Sequence, residues 1–430
     1  MRSNLGRMKS ILAVATAVMF LLPAAWGKGF DDFKLTKAIP ADSFLAVHGR
    51  DHAGKEFVNK QMARVWEALE NARLERDVKR MFKAVQKKSL PPGAELEGFE
   101  EQWQQMMDLW ASVEWSSLSQ REFAMGMKVA FPTTEIVMLM VPPEDKVQSN
   151  FEGLGGVVKA LVELDPNGMQ LVTEEEDGLT IHRVTFVGAP FPLGLTLARH
   201  NDVIMFGFGS TMVEQSLALL KGEGGESLAA TARFQEAFKK LPPATDELVF
   251  FDVAKWMGQV RGVVGTAVQM AAAGAPAEGE PGYDEFKMWT ALPGKILDSI
   301  DMFEYMATVS TTDGMLTTAD SVTVLRDDAK TRALYPVLFG NKPLAEPLKY
   351  VPENAGEFFA TSGIDLHALF TAAVKIIRED VPDGGAAIAQ MEALKDPNEG
   401  IGLDVEQDIF GWVGGSLTSV SYTHLTLPTN

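Results

Sequence analysis

Cysteine is absent from all 430 residues. Its absence excludes disulfides, thiol catalysis and cysteine-ligated zinc or iron–sulfur centres. It also removes the cysteine on which a bacterial lipoprotein is lipidated, so no lipid anchor is expected. Positive charge is in short supply: 39 Lys and Arg stand against 58 Asp and Glu, a formal net charge of −19. That balance repels phosphate backbones and anionic lipid heads, which disfavours nucleic acid and membrane surfaces as partners. Long apolar runs are missing except for Ile11 to Leu22. No later segment approaches the ~20 apolar residues that span a bilayer. There is no nucleophile elbow, zincin helix or β-lactamase triplet. A triad assembled from distant positions would leave no local trace, however.

What is present begins with an export signal. Arg2, Arg7 and Lys9 form a positive start, Ile11 to Leu22 an uncharged core, and Pro23 breaks it. Ala25 and Gly27 supply the small residues a signal peptidase inspects, so residues 1–27 are expected to be removed after Gly27. Met8-Lys9 followed by the apolar run is a complete signal by itself. The alternative is an uncleaved anchor, for which the run is short. Removal takes three basic residues and leaves 36 against 58 acidic ones, a formal −22. A soluble periplasmic or extracellular protein is expected. Its composition, 46% hydrophobic and 23% charged, is that of a globular chain that must hold together by packing. At the other end, Ser421 to Thr429 resembles one reading frame of a transposon-end adapter used in shotgun sequencing, and Val420 fits the same frame. Residues 420–430 are therefore expected to be foreign, with the natural chain cut near Ser419.

One pattern occurs three times: lysine, any residue, an aliphatic and a proline ahead of an apolar strand. The copies are Lys37 to Pro40 before Ser43 to His48, Lys239 to Pro242 before Glu247 to Phe251, and Lys349 to Pro352 before Glu357 to Ala360. Proline suits a strand entry, where its missing N–H forfeits no ladder bond. Between copies the elements recur as well. A helical insertion at about 55–113 precedes strands Glu122 to Phe131 and Thr134 to Val141, a helix near Lys146 to Leu164, and strands at 169–174, 179–187, 195–199 and 203–208. A helix from Thr211 to Leu220 closes the first half. The second half repeats helix (Val253 to Ala272), a linker at 273–282 rich in Ala, Gly, Pro and Glu, a helix from Asp284 to Asp298 broken at Pro293-Gly294, and a hairpin about Asp313-Gly314. A helix from Asp327 to Phe339 follows, and the third copy leads to helices near 365–379 and 385–394. This β-α-β-β-α order predicts an α+β fold of duplicated split βαβ (ferredoxin-like) units. Their sheets should be mostly antiparallel with helices on one face. The predicted domains are 28–243 and an incomplete 244–419.

Several stretches resemble a bacterial family of exported proteins, the domain-of-unknown-function family numbered thirty-three fifty-two. They are Ile39-Pro40-Ala41-Asp42, Gly225 to Leu228 leading to Phe234 and Leu241-Pro242, and Leu403-Asp404 through Asp408 to Gly415. The resemblance implies an extracytoplasmic, duplicated α+β protein. It brings no catalytic residues, because the family has none established.

Candidate sites are few. His48, Asp51 and His52 cluster after the first strand and have zinc-type ligand chemistry, but no His-rich segment offers further ligands. A solvated turn is the plainer reading. Gly207-Phe208-Gly209-Ser210 sits between a strand and a helix, where backbone N–H groups can hold a phosphate. It lacks the third glycine or the lysine of the nucleotide motifs. Thr211 with Glu214 reads instead as a capping box. Glu174 to Asp177 lack the ligand spacing of a calcium loop and read as a solvated hairpin turn. Met125, Met127, Met138 and Met140 read as core rather than copper ligands. Leu96, Phe99, Trp103, Met106, Trp110 and Val113 form one helix stripe whose tryptophans, Trp103 and Trp110, suggest a partner surface. The expected role is non-catalytic: binding or scaffolding an envelope protein or polymer, with no cofactor. A periplasmic hydrolase with a dispersed site using His48 and His52, or a carrier of apolar ligands, are the alternatives.

Overall fold

The computed structural model describes residues 33–50, 79–80, 83, 98–130, 133–176, 178–188, 194–209, 211–242, 246–313, 316–339, 357–361, 366–382, 384–396, 402–410 and 417–421. The signal segment, Asp51, His52, most of the helical insertion, the third Lys-x-aliphatic-Pro copy and residues 422–430 lie outside the described residues. Two compact units emerge, residues 1–256 with 305–323, and 257–304 with 324–430. Each unit is made of two stretches of the sequence.

The first unit is built on one ten-stranded sheet. Its strands are β1 (Leu45–Arg50), β2 (Glu122–Ala130), β3 (Thr133–Val141), β4 (Met169–Glu176), β5 (Leu179–Phe186), β6 (Gly194–His200), β7 (Val203–Phe208), β8 (Glu247–Phe251), β9 (Phe303–Asp313) and β10 (Leu316–Leu325). They lie in the order β10-β9-β8-β1-β2-β3-β7-β6-β5-β4, antiparallel from β9 through β4. A large antiparallel sheet in an α+β chain was expected; its connectivity was not. A split βαβ unit sets its first two strands parallel with another between them. Here β1 lies directly against β2, antiparallel, with Val47 opposite Met125. The end of one strand and the start of its antiparallel neighbour share an edge of the sheet, so the helices between them need not cross over.

Alternation along the strands gives the sheet two apolar faces. On one, Phe123, Met125 and Met127 join Phe151, Leu154 and Val158 of the helix α3 (Val147–Leu164). Before it, α1 (Phe99–Ser112) and the single turn α2 (Trp115–Leu118) complete that layer; Phe99, Trp103 and Met106 of α1 pack on Ala160 and Leu164. The opposite face is covered by the 3-10 turn Lys34–Ala38, α4 (Met212–Lys221) and α5 (Ala232–Lys239). Helices thus cover both faces, not one. Alternate glycines make this close approach possible. A Cβ on Gly126 would fall 2.9 Å from Ile39, and one on Gly207 would fall 2.2 Å from Val213 Cγ2. Phe250 of β8 is sealed on this face by Phe234 at 5.0 Å and Tyr305 at 6.0 Å between ring centroids.

The outer edges are polar. β4 carries Glu174, Glu175 and Glu176 inside the strand, paired in register with Ile181, Thr180 and Leu179. The expected turn is thus largely a charged edge strand, which discourages pairing with other chains.

The second unit takes in most of α6 (Val253–Ala272), then α7 (Tyr283–Ile300), the short α8 (Tyr335–Phe339), β11 (Glu357–Thr361), α9 (Leu366–Asp380), α10 (Gly384–Ala393), a π-helical turn Val405–Phe410 and β12 (Leu417–Ser421). β11 and β12 form a separate antiparallel pair, in which Phe359, Ala360 and Thr361 meet Ser419, Thr418 and Leu417. Residues 273–282 separate α6 from α7, and α7 continues through Pro293, where a break was expected. Proline there leaves the Trp289 carbonyl without its helical donor. Trp289 is 64% exposed, so water can take that bond. An ion network steadies the end of α7: Arg261 donates to Asp301 at 2.6 Å and to Asp298 at 2.8 Å.

Substituting Gly207→Ala should lower stability by about 1–3 kcal/mol, because the added methyl overlaps a stiff β-branched side chain. Chemical unfolding measures this, and Val213→Ala in the same chain should recover part of the loss. An unchanged midpoint for Gly207→Ala would contradict the packing described.

Candidate functional site

The strand β1 places His48 between Ala124 of β2 and Leu248 of β8. Its ring is 1% exposed, neither nitrogen has a hydrogen-bond partner among the described residues, and Phe33 meets it edge-on at 6.4 Å. Burial pushes its pKa from the ordinary 6.5 down to about 3. His48 is therefore a neutral core imidazole rather than part of a solvated turn. Asp51 and His52 lie outside the described residues. Among the described residues no group of three or more His, Asp or Glu side chains could hold a metal ion.

Charged residues gather near the same end of the central strands. Arg50 rests its guanidinium 4.8 Å from the Phe33 ring centroid. Glu122, opposite Arg50 in register, accepts the Leu35 N–H at 2.6 Å. Burial raises the Glu122 pKa, while the Leu35 and Lys34 amides and Arg50 oppose the rise. On β8, Glu247 is pushed up to about 7, chiefly by burial and further by the charge of Asp246. The Ser310 hydroxyl donates to it at 3.1 Å. None of these carboxylates stood out in the sequence. Glu247 opens an apolar strand and reads locally as its solvated start.

The glycine turn before α4 also becomes an interior joint. Thr211 and Glu214 form no capping box: no side chain of the N-cap bonds back, and Glu214 pairs with Arg183 at 3.0 Å. Glu135 of β3 takes over, accepting the Thr211 N–H at 3.2 Å and its hydroxyl at 2.6 Å. A carboxylate at a helix N-terminus meets both the free N–H groups and the positive end of the dipole. Gly209, at φ +104°, lets Glu135 in; a Cβ there would lie 2.5 Å from Glu135 Cγ. Lys128 completes the cluster, donating to Asp42 at 2.9 Å, Thr211 Oγ1 at 2.9 Å and Gln215 at 3.1 Å. The place where a phosphate would sit is taken by the protein's own carboxylate.

Asp252 makes a second joint of this kind at the start of α6. It receives Arg233 at 2.8 and 3.0 Å and the Lys255 N–H at 2.9 Å, while its own N–H donates to Phe44 O at 2.7 Å. Lys255 donates to Ser43 O at 3.2 Å, and burial lowers its pKa. His182 is enclosed as well, stacked on Phe151 at 5.6 Å over Gly155, with Thr173 Oγ1 2.9 Å from its Nδ1.

The two tryptophans of the helix stripe separate. Trp103 is 2% exposed and stacks on Phe99 at 6.1 Å, so it faces the core and cannot meet a partner. Trp110 is 41% exposed, and its ring lies 4.1 Å from that of Trp115, whose Nε1 donates to the Trp110 carbonyl at 2.9 Å. Trp115 was not singled out in the sequence. On another face of α1, Glu101, Gln104, Gln105, Asp108 and Leu109 line a shallow cavity of about 540 Å³. The strand methionines are core: Met125 stands opposite Met138, and Met125, Met127 and Met140 are buried.

Two pH effects follow. His48 holds no proton in the folded chain until about pH 3 but does so when unfolded from about 6.5. Stability should therefore fall with pH across that window. His48→Leu should flatten this acid limb in thermal unfolding from pH 7 to 4; an unaltered slope would contradict the buried neutral ring. Glu247 has the opposite sign. Its raised pKa favours the folded state below the ordinary 4.5 and loses that effect as pH rises through about 7. Glu247→Gln should raise stability at pH 8 relative to pH 5, and equal shifts at both would contradict the burial assigned to it. A comparison of the chain with protein families, curated proteins and solved structures finds no match in any of the three.

Proposed function

We propose that this chain is an exported, non-catalytic binding or scaffold protein of the cell envelope, released near Gly27 into the periplasm or beyond, and that it belongs to the exported family it resembles. We propose also that it grew by duplication of a strand–helices–strand unit. The observation that carries the binding reading is the Trp110–Trp115 pair at the outer end of α1, 41% exposed at Trp110. An exposed tryptophan braced by a half-buried one supplies large rigid contact area of the sort that dominates interfaces. The scaffold reading draws on how the buried charges are used. Lys128 and Glu135 join strands to α4, and Asp252 joins β8 to α5 and α6. Each cluster consumes the hydrogen-bonding capacity that a catalytic site would turn toward a substrate. The partner is an envelope protein or polymer.

The test uses the purified chain and washed cell-wall polymer and envelope fractions from a bacterial host. Trp110→Ala, which leaves the half-buried Trp115 in place, should weaken retention at least tenfold while the variant keeps the cooperative unfolding of the wild type. Equal retention of wild type and variant would remove this surface as the binding site.

A further inference from the structure

The exposed tryptophan stands at the negative end of its helix. Trp110 lies in the last turn of α1, where the final carbonyls carry the negative pole of the helix dipole. A helix end of this kind favours lysine or arginine. On the other face of the sheet, α4 and α5 close on Lys221 and Lys239. The last turn of α1 has no basic residue, and neither does the rest of that helix. Two residues past its end comes an exposed carboxylate, Glu114.

α1 runs antiparallel to α3, so this end meets the start of α3. Leu109 lies against Gly156 and Val113 against Gly153, and the Glu114 N–H donates to Asn150 Oδ1 at 3.1 Å. Ahead of α3 comes the 3-10 turn Glu144–Lys146. Lys146 reaches Glu114 at 2.9 Å and feels the charge of Asp145, while Arg121 is drawn to Asp202 at 3.0 Å and Glu144 at 4.0 Å. Glu114, Glu144, Asp145 and Asp202 thus stand against two bases, and both bases are already engaged. The dipole of α3 accounts for Glu144 and Asp145 at its N-terminus, but the dipole of α1 opposes Glu114.

The indole adds to this field. Trp110 is 41% exposed and rests on Trp115 at 4.1 Å between centroids, and Trp115 is anchored by its Nε1 bond to the Trp110 carbonyl at 2.9 Å. The face of an indole is electron-rich and is the best aromatic platform for a cation. Ring, dipole and Glu114 therefore agree in sign. The whole chain, at −19, repels an anionic polymer from the same place.

We infer that the Trp110 end of α1 receives a cationic segment of a partner polypeptide, with an arginine side chain of that segment lying over the Trp110 ring beside Glu114. This rests on the reading of Trp110 as a binding surface and narrows the partner to a basic protein segment. Arginine fits better than lysine, because its planar guanidinium stacks on an indole while its N–H groups reach a carboxylate. Lys146 is then the internal competitor, holding Glu114 until the partner displaces it.

The probe is a fluorescein-labelled peptide of Arg-Gly-Ser repeats, titrated with the full chain and read by anisotropy. Trp110→Ala and Glu114→Gln should each weaken its binding by about tenfold, and Lys146→Met should tighten it by about threefold. Glu175→Gln, on the acidic edge strand β4, should leave it unchanged, which separates this corner from the bulk charge. The same peptide with citrulline for arginine keeps the shape without the charge and should bind about tenfold more weakly. Equal binding of the citrulline peptide overturns the inference, as does an equal loss with Glu175→Gln or binding that ignores Trp110→Ala. If the arginine peptide fails to bind while Trp110→Ala still lowers retention on envelope fractions, the cationic partner falls and the binding surface stands. If neither measurement depends on Trp110, both fall.

Discussion

The pairing of β1 with β8 is the contact on which the rest of the sheet depends. It joins strands 202 residues apart, Val47 to Val249, and turns two short antiparallel groups into one ten-stranded sheet. Without it, β8 to β10 would have no place in the first unit. The joint is also sealed chemically. His48 and Leu248 face each other across it, as do Ala46 and Phe250, and all four are buried. A long sheet of this kind carries a folding cost in loop closure, because the non-local pairing comes only after a long chain has been ordered.

A chain without disulfides must fix such distant elements by packing and by buried polar contacts. The ion clusters do the second. Lys128 with Asp42, Thr211 and Gln215, and Asp252 with Arg233, join residues far apart in sequence at the ends of helices. Breaking one partner of such a cluster leaves a buried charge uncompensated, which costs more than the intact pair contributes. Their position at helix N-termini adds specificity. Glu135 and Asp252 each place a carboxylate where free N–H groups point, so the helix has one favoured seat on the sheet.

Much of the local structure was legible in the sequence. The three proline-led strands, the hairpin strands and helices such as Val253–Ala272 stand where apolar alternation and helical spacing put them. Two features resisted local reading. One is which strand lies beside which: the alternation of Phe123, Met125 and Met127 fixes a face but names no neighbour, so a split βαβ order was as compatible as the antiparallel order observed. The other is burial. Trp103 and Trp110 lie on one helical stripe, but α1 leaves the core after Met106, and only the first tryptophan is enclosed. His48 looked like the start of a turn because Gly49, Arg50, Asp51 and His52 follow it in sequence, while its neighbours in space are Phe33, Ala124 and Leu248. The carboxylate that caps α4 comes from Glu135, 76 residues upstream of Thr211, and no local pattern could have matched them.

The β1–β8 register can be measured in one experiment. Val47→Cys with Val249→Cys gives the otherwise cysteine-free chain a single thiol pair across the joint. The account predicts an intramolecular disulfide that forms readily in the folded protein and raises its unfolding midpoint. Val47→Cys with Phe251→Cys, displaced along the strand, should remain reduced. Free thiols in the first variant, or equal bond formation in both, would contradict the β1–β8 joint at the centre of this fold.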